Sequence, residues 1–155
     1  MIAPNETLFA DILQILQTAR QKAYKAVNTE MVNAYWLMGR RIVEEEQRGE
    51  QKAAYGEAIL KKLSIALTAE LGKGFSYANL RNFRQFYLTY PDAEICYALR
   101  SKLTWTQHRL IMRVENAEAR NYYLKECAEQ NWSSRVLERE KKLILEQIKD
   151  RKELL

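Results

Sequence analysis

The stretch LSIALTAELGKGFSYANLRNFRQFYLTY, Leu63 to Tyr90, decides the fold. Leu63, Leu67 and Leu71 recur at helical spacing, and two glycines, Gly72 and Gly74, then interrupt the pattern. Ser76 follows as an N-cap, because its hydroxyl accepts from an unpaired N–H of the first helical turn. Leu80, Phe83, Tyr87 and Tyr90 resume the period and form an expected buried face, until Pro91 ends it. The stretch therefore predicts two helices joined by a short glycine turn. From Leu71 to Pro91 the second helix and its approach carry Lys73, Arg81 and Arg84 and no acid.

The same period extends upstream. Leu8, Ile12, Ile15, Leu16, Ala19, Ala23, Val27, Met31, Ala34, Tyr35, Met38 and Ile42 repeat every three or four positions. This predicts either one helix from Asn5 to Arg48 or two with a kink near Asn28. A single helix would reach roughly 65 Å, longer than a small domain needs, and so implies a second chain along it. Glu44-Glu45-Glu46 closes this pattern and Gly49 is the expected cap. The next helix is expected from Tyr55 to Leu71, with Ile59, Leu60, Leu63, Leu67 and Leu71 on one face.

Downstream, Thr104-Trp105-Thr106-Gln107 reads as a capping box, with Thr104 as cap and Gln107 reaching back. Helices are expected to about Val114, over Ala117–Glu129, and from Ser134 onward, the last with Leu137, Ile144, Ile148 and Leu155 on one stripe. No segment has strand period. The expected fold class is all-α: a multi-helix domain with a helix-turn-helix-like central pair and long first and last helices. The expected organisation is a single helical domain over 1–155, with sub-lobes 1–50 (a long helical arm), 51–132 (the helix-turn-helix-like core) and 133–155 (a terminal helix). The pattern runs on to Leu155 without Gly or Pro, which is the expectation for a chain that continues into another domain.

Composition narrows the function class. The chain has 155 residues, 47% hydrophobic and 29% charged, with 5 Gly and 2 Pro, which excludes a loop-rich β protein. The formal net charge is +5, from 25 basic and 20 acidic residues. Seven of the basic residues (Lys73, Arg81, Arg84, Arg100, Lys102, Arg109, Arg113) and only two of the acids (Asp92, Glu94) lie between Leu71 and Arg113. The rest of the chain is balanced, so the positive excess is concentrated, as a polyanionic partner requires. No basic start with an apolar run opens the chain, no stretch approaches the ~18 apolar residues of a membrane span, and two cysteines without metal-ligand company suit reduced thiols in the cytoplasm. No membrane partner and no cofactor are expected.

The central pair is expected to act as a DNA reader. In a helix-turn-helix the second helix lies in the major groove. Tyr77, Arg81, Arg84 and Gln85 fall away from the apolar face; arginine reads guanine and glutamine reads adenine bidentately. Lys73 and the N–H groups beside Ser76 are placed for phosphates. Trp105, His108, Arg109 and Arg113 form a second basic group, of which Arg109 and Arg113 are candidate nucleic-acid contacts. His108 is the only histidine. Without a second ligand or a nucleophile beside it, it makes neither a metal site nor a catalytic base, and it is expected to be exposed or hydrogen-bonded. The paired aromatics Tyr35-Trp36, Phe86-Tyr87 and Tyr122-Tyr123, and Trp132, are expected mainly in the core. Pro91-Asp92 matches the opening of the nuclease pattern PD-(D/E)-x-K. It follows a helix and lacks the strand-borne acid and lysine that hold Mg²⁺, so it reads as a helix stop. No catalytic residue and no metal ligand is expected.

These anchors also carry a family likeness. Ala26-Val27-Asn28, Tyr35-Trp36-Leu37-Met38-Gly39-Arg40-Arg41-Ile42, Tyr55-Gly56, Leu63-Ser64, Gly72 through Arg81, Phe86-Tyr87, Leu103 through His108 and Trp132-Ser133 follow one another as in the amino-terminal domain of bacterial YhcG-type proteins. The chain resembles that domain over nearly its whole length, departing at Leu71 and Phe83, where Phe and Met are expected. The resemblance implies a helical DNA-binding domain that precedes a carboxy-terminal PD-(D/E)XK nuclease domain. The expected function is thus to bind DNA, dimerise and target that nuclease. The alternative is a protein-interaction and oligomerisation module in which the basic region contacts no nucleic acid.

Overall fold

A computed structural model describes residues 4–48, 53–92 and 102–153. Six helices run through them: α1 (Pro4–Arg48), α2 (Ala53–Leu71), α3 (Tyr77–Thr89), α4 (Trp105–Met112), α5 (Ala117–Glu129) and α6 (Ser134–Glu153). The described residues contain no strand, and the fold is all-α. The first period is one helix of 45 residues, about 67 Å at 1.5 Å per residue. The proposed cap Gly49 and the end of the last stripe, Leu155, lie outside the described residues.

α3 is the hub. It packs most extensively on α1 and also meets α2 and α4. Leu80, Phe83 and Phe86 are its buried side chains. Phe86 takes the place expected for Tyr87, which is half-buried, while Leu71 is exposed beyond the end of the α2 face. Both differences have one cause. α3 is enclosed on more than one side, so its buried arc is wider than a single stripe, and α2 has already passed its partner by Leu71. On α1, Val32, Trp36, Gly39, Ile42 and Val43 are buried, the steps of three and four that keep one face toward a neighbour. Gly39 is the point of closest approach: a Cβ there would overlap the carbonyl oxygen of Phe83. Only glycine lets the two backbones meet at that distance.

Two buried clusters result. Ile42, Leu60, Leu80 and Phe83 form one. Val32, Trp36, Phe86, Tyr90, Leu103, Ile111, Tyr123, Leu124, Cys127 and Leu137 belong to the other. Tyr35 and Trp105 pack against both, and Tyr35 stacks on Phe83 at 4.4 Å between ring centroids. Polar groups fix the connections. Trp36 Nε1 donates to Tyr90 O at 2.7 Å, and Asn28 Nδ2 to Leu103 O at 3.3 Å. Gln107 closes the capping box with Thr104 and also donates from Nε2 to Trp132 O.

N-terminal to Asn28 the picture changes. From Glu6 to Val27 every side chain except Thr18 is exposed, including Leu8, Phe9, Ile12, Ile15 and Tyr24. This part of α1 is an arm that extends away from both clusters. No helix among the described residues is long and apolar enough to cross a membrane.

Candidate nucleic-acid interface

The turn between α2 and α3 is built as its glycines require. Gly72 and Gly74 have φ of 86° and 110°, a region that side chains disfavour. Ser76 caps α3, its Oγ accepting from Asn79 N at 3.2 Å, and Asn79 Nδ2 donates back to Gly74 O at 3.1 Å. Ser64 Oγ donates to Phe75 O at 2.7 Å and ties the turn to α2. The turn thereby sets where α3 begins and which of its faces looks outward.

That outward face opens on a groove of about 920 Å³. Six of the eight residues expected from sequence line it: Tyr77, Arg81, Arg84 and Gln85 from α3, and Arg109 and Arg113 from α4. The two basic groups, separate in sequence, thus share one wall. Lys73 and Ser76 stand outside it. Lys73 is exposed in the turn, and the Ser76 hydroxyl is occupied by its capping bond.

The state of each side chain differs. Arg81 is exposed, with its guanidinium 5.8 Å from the centre of the Tyr77 ring. Gln85 is exposed and donates to Thr89 Oγ1 at 3.2 Å. Arg109 is half-buried, and its Nε is buried without a hydrogen-bond partner. Arg113 is the C-cap of α4 and exposed. Arg84 is engaged: its Nε donates to both carboxylate oxygens of Glu46, at 2.8 and 2.9 Å. Among the described residues no carboxylate pairs with Arg81, Arg109 or Arg113.

Glu46, from the end of α1, and Glu57, from α2, are groove residues that sequence reasoning missed. Glu57 accepts a long hydrogen bond from Tyr77 Oη at 3.5 Å. The only signal for either was the Glu44-Glu45-Glu46 run, which reads as a solvated helix end; Arg40 and Arg41 do pair with Glu44 and Glu45 along the helix. Glu46 lies on the face that turns toward α3.

Behind the α4 wall, Lys141 of α6 donates from Nζ to Leu110 O at 2.8 Å, at the end of α4. Burial lowers its pKa, and the charge of Arg113 lowers it further. Lys141 therefore stands near enough to Arg113 to feel its charge, while only Arg113 lines the groove. His108 is fully buried rather than exposed, with its ring 4.9 Å from that of Phe86. It belongs to the core that supports α4. Cys127 is buried too, and burial pushes its thiol up to about 11, which marks a packing residue rather than a nucleophile. Among the described residues no three His, Cys, Asp or Glu side chains gather to hold a metal ion.

Comparison with known proteins places the chain in a family. The family model described as the DUF1016 N-terminal domain matches residues 11–146. A protein of Escherichia coli (strain K12) named "Putative nuclease YhcG" is 34% identical over 158 residues, an alignment covering 83% of this chain and 42% of the relative. The chain therefore spans less than half the length of that relative, and what it matches is the domain at the amino-terminal end of a longer protein. No solved structure matches the chain. With the family model covering all six helices, at least in part, and the groove they enclose, the chain belongs to the DUF1016 N-terminal domain family.

Proposed function

We propose that this domain binds DNA in the cytoplasm through the α3–α4 groove and brings a nuclease domain in the same longer protein to it. The observation that carries the reading is the convergence of Arg81, Arg109 and Arg113, none paired with a carboxylate among the described residues, on one groove whose sequence span holds the positive excess of the chain. Arginine suits phosphate because its planar fork donates two parallel hydrogen bonds. The buried, unpartnered Nε of Arg109 lacks only an acceptor. Tyr77 and Arg81 offer a flat cation–aromatic surface beside it. Because the arginines line a groove instead of standing on a ridge, contact with the phosphodiester backbone accounts for more of the affinity than base reading by α3. Lys73, exposed at the turn, and the start of α3 at Ser76 extend the positive track.

Three arginines on phosphates give a slope of about −3 in a plot of log affinity against log salt. Fluorescence anisotropy with a labelled duplex, titrated across salt, measures it. Replacing Arg81 and Arg113 with Ala lowers the affinity and flattens the slope by about 2. Binding that ignores salt, or survives the double substitution, defeats the reading. A second reading has an observation of its own. The exposed apolar arm of α1 favours a module that also self-associates, and the two roles are compatible.

A further inference from the structure

The arm of α1 presents Leu8, Phe9, Ile12, Leu13, Ile15 and Leu16 to solvent, each more than 40% exposed. A row this long does not stay in water on a soluble domain. Its own sequence indicates what covers it. Large side chains fill the first half of the arm, and the second half repeats alanine at 19, 23 and 26. Charge divides the same way: Glu6 and Asp11 precede Arg20, Lys22 and Lys25. All these side chains are exposed.

We infer that the arm is covered by the arm of a second copy of this chain, running antiparallel about a two-fold axis between Ile15 and Leu16; this builds on the self-association reading above and is independent of DNA. In that register Leu8 faces Ala23, Ile12 faces Ala19, and Ile15 faces Leu16. Large meets small in the outer layers and two branched side chains, Ile15 and Leu16, meet at the centre, which is how facing helices fill space without voids. The alanines let the axes approach toward the 8 Å end of helix packing distances, so Phe9 and Leu13 are covered from the side. Asp11 and Lys22 are eleven residues apart, about three turns, and so share one flank of the helix. The two-fold axis brings Asp11 of each copy within about 3 Å, along the axis, of the level of Lys22 in the other. A parallel pair does the reverse. It sets alanine against alanine with space between, and puts the two copies of Asp11, like those of Lys22, at one level on opposite flanks, where neither meets the other charge.

The test is the mass of the chain in solution without DNA, by light scattering and sedimentation equilibrium. The wild-type chain runs as a dimer. Ile12→Glu with Leu16→Glu gives a monomer with the core intact, since neither side chain touches it. Asp11→Lys or Lys22→Asp alone weakens the dimer about tenfold, from losing two exposed pairs and gaining like-charge contacts. The two reversals combined restore it. A wild-type monomer at tens of micromolar overturns the second copy as occupant and leaves the arm to another part of a longer protein. A double reversal no better than either single overturns the antiparallel register.

Discussion

Glu46 neutralises one of the arginines that line the groove. It holds Arg84 through both carboxylate oxygens, while its own side chain is only 16% exposed. A phosphate that approaches Arg84 must displace this carboxylate and then sit beside it. Glu46→Gln removes both obstacles. The expected result is tighter duplex binding, with a salt slope steeper by about 1 as Arg84 gains a phosphate. Anisotropy titration checks it; weaker binding or an unchanged slope means that Arg84 serves only to hold α1 against α3. This residue also marks how far the site was legible. The arginines of the groove could be read from sequence because acid-free charge concentrates there, and Ser76 and Thr104 because caps have local signatures. Glu46 could not, since its partner lies 38 positions away. A glutamate beside two others looks solvated until a second helix is placed against it. His108 is expected from sequence to be exposed or hydrogen-bonded, and its burial could not be read for a related reason: it is decided by the neighbours Phe86 and Tyr90, not by its own helix.

At the level of elements, the position of α3 depends on α1 more than on α2, its neighbour in sequence. A helix-turn-helix reading places weight on the α2–α3 pair. The packing transfers it to the crossing at Gly39, where the α1 backbone meets the α3 carbonyl of Phe83. Gly39→Ala inserts a methyl group into that carbonyl, and the helices must separate. The gain in helix propensity, up to about 1 kcal/mol, opposes a larger overpacking cost of about 1–3 kcal/mol. The expected outcome is net destabilisation in urea, with DNA affinity reduced as the groove between α1 and α3 widens. A variant as stable as the parent would show that the crossing yields cheaply. Most boundaries of the described helices were legible, because the period of three and four and the Gly and Pro stops are local, whereas the period could not decide between one helix and two before Arg48. The Gly39 crossing was not. Within a helical pattern a glycine reads only as a weak position, and what it admits is a distant backbone. Phe86, expected in the core only as one of an aromatic pair, falls off the expected α3 stripe for the same reason, as period identifies one face while α3 is covered on several.

At the scale of the whole molecule, the chain divides into a part that buries its apolar residues and a part that does not. Tyr35 and Trp105 join the two buried clusters, and among the described residues the hydrogen bond nearest the arm that ties α1 to them is Asn28 to Leu103. Beyond it the arm contributes no core. Its stability must therefore come from helix propensity, which alone is marginal, or from another surface. If two arms cover each other, folding and association are linked, and the melting temperature depends on concentration. A hundredfold rise in protein then adds about 2.7 kcal/mol to the apparent stability of the dimer, a shift of several degrees. Removing residues 1–25 takes away most of the arm, and none of the side chains described from residue 6 to residue 25 is buried. The shortened chain is expected to melt cooperatively at a temperature that no longer changes with concentration. Each dimer also carries two α3–α4 grooves, so a duplex long enough to reach both is held by avidity. The shortened chain should lose at least tenfold in affinity for such a duplex, and little for one that fills a single groove. Calorimetry at two concentrations and anisotropy with short and long duplexes separate these effects. A shortened chain that keeps its affinity for both duplexes shows that the grooves act singly, and one that fails to melt cooperatively shows that the arm supports the core after all.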